Sequence, residues 1–301
     1  MIKKPTVLIL GAGASAHVGY PLGRQLVDNI CGQNIQQLTG DVSGLWGEKE
    51  VKGFLTRLSR AGFYSIDAFL ETVPEQAGLG KYLLAREIKR HEQIENLFSP
   101  KDPGWYQYLF NCLLDKNSYS GFESSRLSII TFNYDRSLET YLHESLVARF
   151  QIGPDEAHDL LSEVSIIHVH GSLGEYPNIP YQTDCSTTEL LKISKEIQII
   201  HEVSDHKNDF CNKEFKQAFG CLSEAERIFF LGFGFHPDNL RRFNFFSPEN
   251  TKDREIWGTS QGMGPVDIRD LCERLAENGI SQNSLNGNAC NNFFSHVTGL
   301  R

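Results

Sequence analysis

The segment Thr6-Val7-Leu8-Ile9-Leu10-Gly11-Ala12-Gly13, a five-residue apolar run that stops on a Gly-x-Gly turn, most restricts what this chain can fold into. Five aliphatic and β-branched residues bounded by glycine read as a buried strand. A strand that discharges into glycines where a helix is due predicts a phosphate cradle at the carboxyl edge of a parallel sheet. Gly11 permits the tight turn, Gly13 lets the backbone approach phosphate, and Ala16 is small enough for close helix packing. The amino end of the following helix is then expected to present unpaired N–H groups to a pyrophosphate, which makes a dinucleotide the expected ligand. A strand–turn–helix junction that serves structure alone is the plainer reading of the same residues.

Three further apolar segments, at 126–131, 164–169 and 227–231, have strand length and end in polar or glycine-rich turns, and a fifth candidate lies at 254–257. Repeated strands of this kind predict an α/β fold with a doubly wound, mainly parallel Rossmann-like sheet. The interval at about 44–120 carries apolar residues at helical spacing over 51–60, 66–72 and 79–96, too much chain for a simple crossover. It is therefore read as a helical insertion lobe within a single domain of 1–301, a length one α/β domain can occupy. The alternating charges at 81–95 read as a solvated helix face, 182–208 as helical and polar, and the Asn-, Gly- and Ser-rich tail 278–289 as loop.

A formal net charge of −9 argues against general affinity for nucleic acid or an anionic membrane, so a pyrophosphate has to be held by a local device. No apolar run approaches the ~20 residues that span a bilayer. Met1-Ile2-Lys3-Lys4-Pro5 lacks the apolar core of a signal peptide, and seven scattered cysteines without a Cys-x-x-Cys pair suggest no disulfide framework. A cytoplasmic protein in a reducing compartment is expected.

The strand ends carry the chemistry. A hydride-transferring dehydrogenase calls for a second strand ending in Asp or Glu about 20 residues beyond the glycines, and residues 28–38 contain none. After the second strand come Asn133 and Asp135, an amide and a carboxylate able to hold ribose hydroxyls, a water or a carboxamide; a helix N-cap is the bland alternative for Asp135. After the third comes His170-Gly171, and histidine is the side chain suited to take a proton near neutral pH. His168 lies two residues before His170, so the two share a strand face and raise the question of a metal pair, although no other His or Cys has a telling spacing. After the fourth come Gly232-Phe233-Gly234, suited to close backbone contact with a nucleotide, and Asp238, which equally suits a helix cap.

Taken in order, these motifs resemble the sirtuin (silent-information-regulator-like) superfamily. Gly11-Ala12-Gly13-Ala14-Ser15 with Gly19-Tyr20-Pro21 and Arg24 resembles its nucleotide loop, Asn133-Tyr134-Asp135 its Asn-x-Asp motif, His170-Gly171 its catalytic pair, and Gly232 and Gly234 its third nucleotide turn. Ser65-Ile66-Asp67-Ala68-Phe69-Leu70-Glu71 further resembles the bacterial branch found in antiphage-defence proteins. Two features depart from the protein deacylases. Their four-cysteine zinc module is replaced by unpaired Cys185, Cys211 and Cys221, and Gly23 stands where a phenylalanine precedes their arginine.

The resemblance therefore implies an NAD⁺ glycohydrolase with no zinc and no cofactor beyond NAD⁺ as substrate. Gly11, Ala12, Gly13, Ser15, Arg24, Gly232 and Gly234 are the implied nucleotide-binding residues, with a structural salt bridge as the alternative for Arg24. Asn133 is expected to position ribose and water, Asp135 to accept from the carboxamide, and His170 to act as base. Other readings are a sirtuin-type deacylase or ADP-ribosyltransferase, or a non-catalytic NAD⁺ or ADP-ribose sensor. The related defence systems also imply a homo-oligomer, and in some cases a partner ATPase or other regulatory chain that restrains NAD⁺ loss.

Overall fold

The computed structural model describes residues 2–42, 44–99, 104–114, 118–119, 122, 126–181, 184–199, 213–235, 239–240, 245, 254–277, 282–286, 290, 293–294 and 300. Six strands form one sheet: β1 (Thr6–Leu10), β2 (Leu127–Thr131), β3 (Ser165–His168), β4 (Arg227–Leu231), β5 (Glu255–Thr259) and β6 (Gln282–Asn286). Their order is β3-β2-β1-β4-β5-β6 and every neighbouring pair is parallel. This is a doubly wound α/β fold. The chain reverses its winding between β1 and β4, and at such a switch point the loops diverge to leave a crevice at the carboxyl ends of the strands.

Alternation along β1 shows why both faces of the sheet are covered. Leu8 and Leu10 belong to one hydrophobic cluster, Val7 and Ile9 to another. The first is roofed by helices α1 (Gly23–Cys31), α2 (Ile35–Asp41), α3 (Glu48–Arg60), α4 (Ile66–Glu71), α5 (Ala77–Arg90), α6 (Ile94–Leu97) and α7 (Gly104–Leu113), with α8 (Ser137–Phe150), α9 (Pro154–Ser162) and α10 (Thr187–Glu196). The second takes Phe215, Ala218 and Leu222 of α11 (Lys213–Glu224) and Leu271 and Leu275 of α12 (Pro265–Glu277).

Three expectations from the sequence are corrected. The glycine turn after β1 opens no α-helix; two 3-10 turns, Ala12–Ala14 and Ala16–Val18, follow it, and Ala16 is exposed rather than packed. The face of α5 expected to be solvated is the core of the helical layer. Tyr82, Leu83, Leu84, Ala85 and Ile88 are buried, and so are the carboxylates of Glu87 and, just beyond the helix, Glu92. The tail contains a strand: β6 pairs with β5, Gln282 opposite Ile256 and Leu285 opposite Gly258. Gly258 makes that pairing close, since a Cβ there would stand 2.9 Å from Leu285 Cδ2. Of the polar segment 182–208, residues 184–199 are described and contain α10, while 182–183 and 200–208 lie outside the described residues. Among the described residues no helix is long and apolar enough to cross a membrane.

Candidate active site

The loops after four strands meet in one cleft at the switch point. Gly11, Ala12 and Ser15 follow β1, Phe132 to Asp135 follow β2, His170 follows β3, and Phe233 and Gly234 follow β4. Tyr20, Pro21 and Gly23, with Ser65, Ile66 and Asp67 at the start of α4, close the remaining wall. The cavity measures about 230 Å³. Small-molecule sites commonly enclose about 300–1,000 Å³, so a dinucleotide has to extend beyond its mouth.

Inside the cleft, a short chain of hydrogen bonds ties the β1 loop to the β2 loop. Asn133 Nδ2 donates to the carbonyl of Gly11 (3.1 Å) and to Ser15 Oγ (3.3 Å), and Ser15 Oγ donates to Asp135 Oδ2 (2.8 Å). With both amide protons so directed, Asn133 Oδ1 is left to accept from a water or a sugar hydroxyl. The two carboxylate oxygens of Asp135 face different partners. Its Oδ1 accepts from the Ser137 amide (3.1 Å) and hydroxyl at the start of α8, although the N-cap of that helix is Arg136 and not Asp135 as the sequence allowed. The other carboxylate oxygen joins the cleft network. Burial raises the Asp135 pKa, against the lowering effect of the Ser137 and Ser15 hydrogen bonds.

His170 is buried and edged by the rings of Phe132, Tyr134 and Phe215, at centroid distances of 5.5, 6.5 and 5.7 Å. Its carbonyl accepts from the amide of Gln198 (2.8 Å). Gly171 has φ +74°, and a Cβ there would lie 1.9 Å from the Glu196 carbonyl oxygen, so only glycine allows the chain to turn here. His168 and His170 do not share a strand face as their spacing suggested. β3 ends at His168, the next two residues turn, and His168 bonds the Asn133 carbonyl and Glu139 while His170 lines the cleft. No group of three or more His, Cys, Asp or Glu side chains among the described residues has the arrangement to hold a metal ion.

The glycines answer to packing as much as to a ligand. The Gly11 and Gly13 amides donate to the carbonyls of Leu231 and Gly232, both at 3.0 Å, so these N–H groups are already engaged. A Cβ on Gly11 would stand 2.6 Å from Gly232 O, one on Gly13 2.8 Å from Gly232 Cα, and one on Gly232 2.1 Å from Ala14 N. Two glycine loops, from β1 and β4, thus press backbone to backbone. Gly11, Ala12, Ser15 and Gly234 line the cleft; Gly13 and Gly232 sit at its seam. Gly13→Val is therefore expected to part the seam, lowering stability by about 1–3 kcal/mol. A thermal melt on the variant checks this, and an unchanged melting temperature would show that the seam can yield.

Arg24 does not reach the cleft. It is half exposed on α1, pairs with Asp28 at 3.0 Å and donates to the Phe63 carbonyl at 3.4 Å, which is the structural salt bridge weighed as its alternative. Asp238 lies outside the described residues, as does Cys211.

Several supporting residues carried no recognisable signal. Trp105 of α7 donates its indole N–H to the Ala14 carbonyl (2.8 Å) and fixes the β1 loop from behind. Tyr134 donates its hydroxyl to Asp67, joining the β2 loop to α4 across the cleft wall. Arg136, next to Asp135, is buried against Glu92 and donates to the carbonyls of Ile179 and Pro180. Each contact spans dozens of residues, which no local pattern reports.

A family described as SIR2-like domain matches residues 127–281 of this chain. No curated protein matches it.

Proposed function

The chain belongs to the SIR2-like family, and from that premise we propose that it hydrolyses NAD⁺ to nicotinamide and ADP-ribose. The observation that carries this reading is the convergence of Asn133, Asp135 and His170 on one cleft beside the Gly11–Ser15 turn. In the reaction the bond from the ribose carbon to the nicotinamide nitrogen breaks, and its electron pair neutralises the departing pyridinium. Water forms the new C–O bond and gives up a proton. Because the leaving group is already cationic it needs little acid help, and the transition state is oxocarbenium-like, as in other glycosidic cleavages. Positioning and local electrostatics then do most of the catalysis.

Asn133 Oδ1 orients a ribose hydroxyl or the water, His170 takes the proton, and Asp135 accepts from the carboxamide or fixes the network that holds Asn133. Gly11, Ala12, Ser15 and Gly234 approach the phosphates and adenosine side. The choice of water over an acyl-lysine acceptor is favoured by the cysteines. Cys185 precedes α10 and Cys221 lies within α11, with no paired spacing between them, so we expect purified protein to carry no stoichiometric zinc. By its resemblance to the defence branch, we place this activity in NAD⁺ depletion during phage infection, restrained by self-assembly or a partner chain.

One incubation separates the readings. Protein mixed with NAD⁺, with and without an acylated peptide, is expected to release nicotinamide equally in both. Release only with peptide would mean a deacylase or transferase, and binding without release would mean a sensor.

A further inference from the structure

His168 lies behind the cleft, not in it. Its Nδ1 is 2.9 Å from the main-chain oxygen of Asn133, and its Nε2 meets the Glu139 carboxylate. A carbonyl and a carboxylate accept only, while a neutral imidazole has a single N–H. Both hydrogen bonds exist together only when the ring is an imidazolium. The ring is 14% exposed and the Glu139 side chain 18%, so the pair is largely shielded from water. Asn133 is then gripped on both sides of its Cα, its amide donating to Thr131 Oγ1 (3.0 Å) and its carbonyl accepting from His168.

We propose that His168 is a positioning residue of this cleft: a cationic brace, anchored by Glu139 on α8, that fixes the Asn133 carbonyl and with it the turn carrying Asn133 and Asp135. Its effect on turnover rests on the hydrolase reading; its charge does not.

The surroundings agree with a charged ring. Burial by itself would lower the His168 pKa, but the Glu139 charge and hydrogen bond, the Asn133 carbonyl and the Asp135 charge together raise it. Among the described residues, the groups around the hollow behind His168 are Arg136 and Glu139 at the start of α8, His158 on α9, Glu163 beyond it, and Glu175 and Tyr176 on the loop after His170. Gln217, from α11, is neutral, and Arg136 is matched by Glu92. Because the folded value is raised, the brace is fully present below the ordinary histidine pKa of about 6.5 and is lost as pH climbs through the raised value. Turnover should therefore fall on an alkaline limb set by His168.

Nitrogen-15 NMR of side-chain-labelled histidine in the full chain reads the charge without any turnover. Near neutral pH, His168 is expected to show two protonated ring nitrogens, and Glu139→Gln to show a neutral ring. With NAD⁺, His168→Ala is expected to lower kcat about 10²-fold, the size of effect a small misplacement produces, with KM little changed. His168→Asn, whose amide can reach the Asn133 carbonyl but cannot titrate, is expected to recover most of that loss and flatten the alkaline limb.

A neutral ring in the wild type overturns the proposal, as does a folded His168→Ala with wild-type kcat and pH profile. Equal losses in the Ala and Asn variants with lowered melting temperatures mark a merely structural histidine and overturn it as well. Should His168→Ala not fold, the Asn variant and the NMR decide. Wild-type protein that releases no nicotinamide yet shows the imidazolium upholds the brace and refutes the hydrolase reading alone.

Discussion

His170→Ala is expected to give a folded protein that still binds NAD⁺ and releases nicotinamide about 10²–10⁴-fold more slowly, the usual cost of removing a positioned base. The imidazole is buried among Phe132, Tyr134 and Phe215, so its removal also opens a small void, and a melting curve must accompany the assay. Asn133→Ala should lose about 10²–10³-fold, by analogy with oxyanion donors, and has a structural side effect of its own. It strips the Gly11 carbonyl and Ser15 hydroxyl of a donor, which costs about 1–3 kcal/mol if no water replaces it. If both residues act on one transition state, the double variant will be little worse than the worse single one. Calorimetric NAD⁺ affinity near wild type with lost turnover would support catalysis. Full nicotinamide release by folded His170→Ala would refute the mechanism.

The sheet was legible because its central strands are buried on both faces. Thr6–Leu10 and Arg227–Leu231 are buried throughout, and such strands appear in sequence as unbroken apolar runs. β6 is the opposite case. Gln282, Asn283, Ser284 and Asn286 give no apolar signal, and the strand pairs only with β5 at the edge of the sheet. Composition alone therefore suggested a loop.

In the cleft, residue types at strand ends were readable, since chemistry concentrates where a parallel sheet delivers its loops. Their duties were not. Nothing local distinguishes a glycine that faces phosphate from one that faces Gly232, because the contact joins residues more than 200 positions apart. The spacing of His168 and His170 predicted a shared face only so long as the strand continued, and it ends at His168. For Arg24 the i,i+4 partner Asp28 was visible in the sequence, and that pairing is what the structure shows.

The charged stretch 81–95 reads as solvated for a related reason, yet Glu87 and Glu92 within it are buried. Glu92 and Arg136 are almost fully buried, with Arg136 Nε at 3.1 Å and Nη2 at 2.7 and 3.0 Å from the Glu92 carboxylate oxygens. Lys89 also closes on that carboxylate, leaving Glu92 as the counter-ion of two poorly exposed cations. Glu92→Ala is expected to lower unfolding free energy by about 3–5 kcal/mol, because a buried cation left without its partner cannot recover its hydration. Urea denaturation reads this directly, and a loss below about 1 kcal/mol would show that water reaches the guanidinium as it does at surface pairs. Arg136→Lys should be nearly as damaging, since an ammonium cannot grip the carboxylate in a bidentate fork and hold the Ile179 and Pro180 carbonyls as well. The triple variant Glu92→Leu, Arg136→Met and Lys89→Met removes all three charges, and so should recover much of the stability. It should not recover NAD⁺ turnover, because Arg136 stands between Asp135 and Ser137 and its anchorage fixes where their hydrogen bonds fall. Regained stability with regained turnover would mean that the pair serves the fold alone, and that the cleft keeps its shape without it.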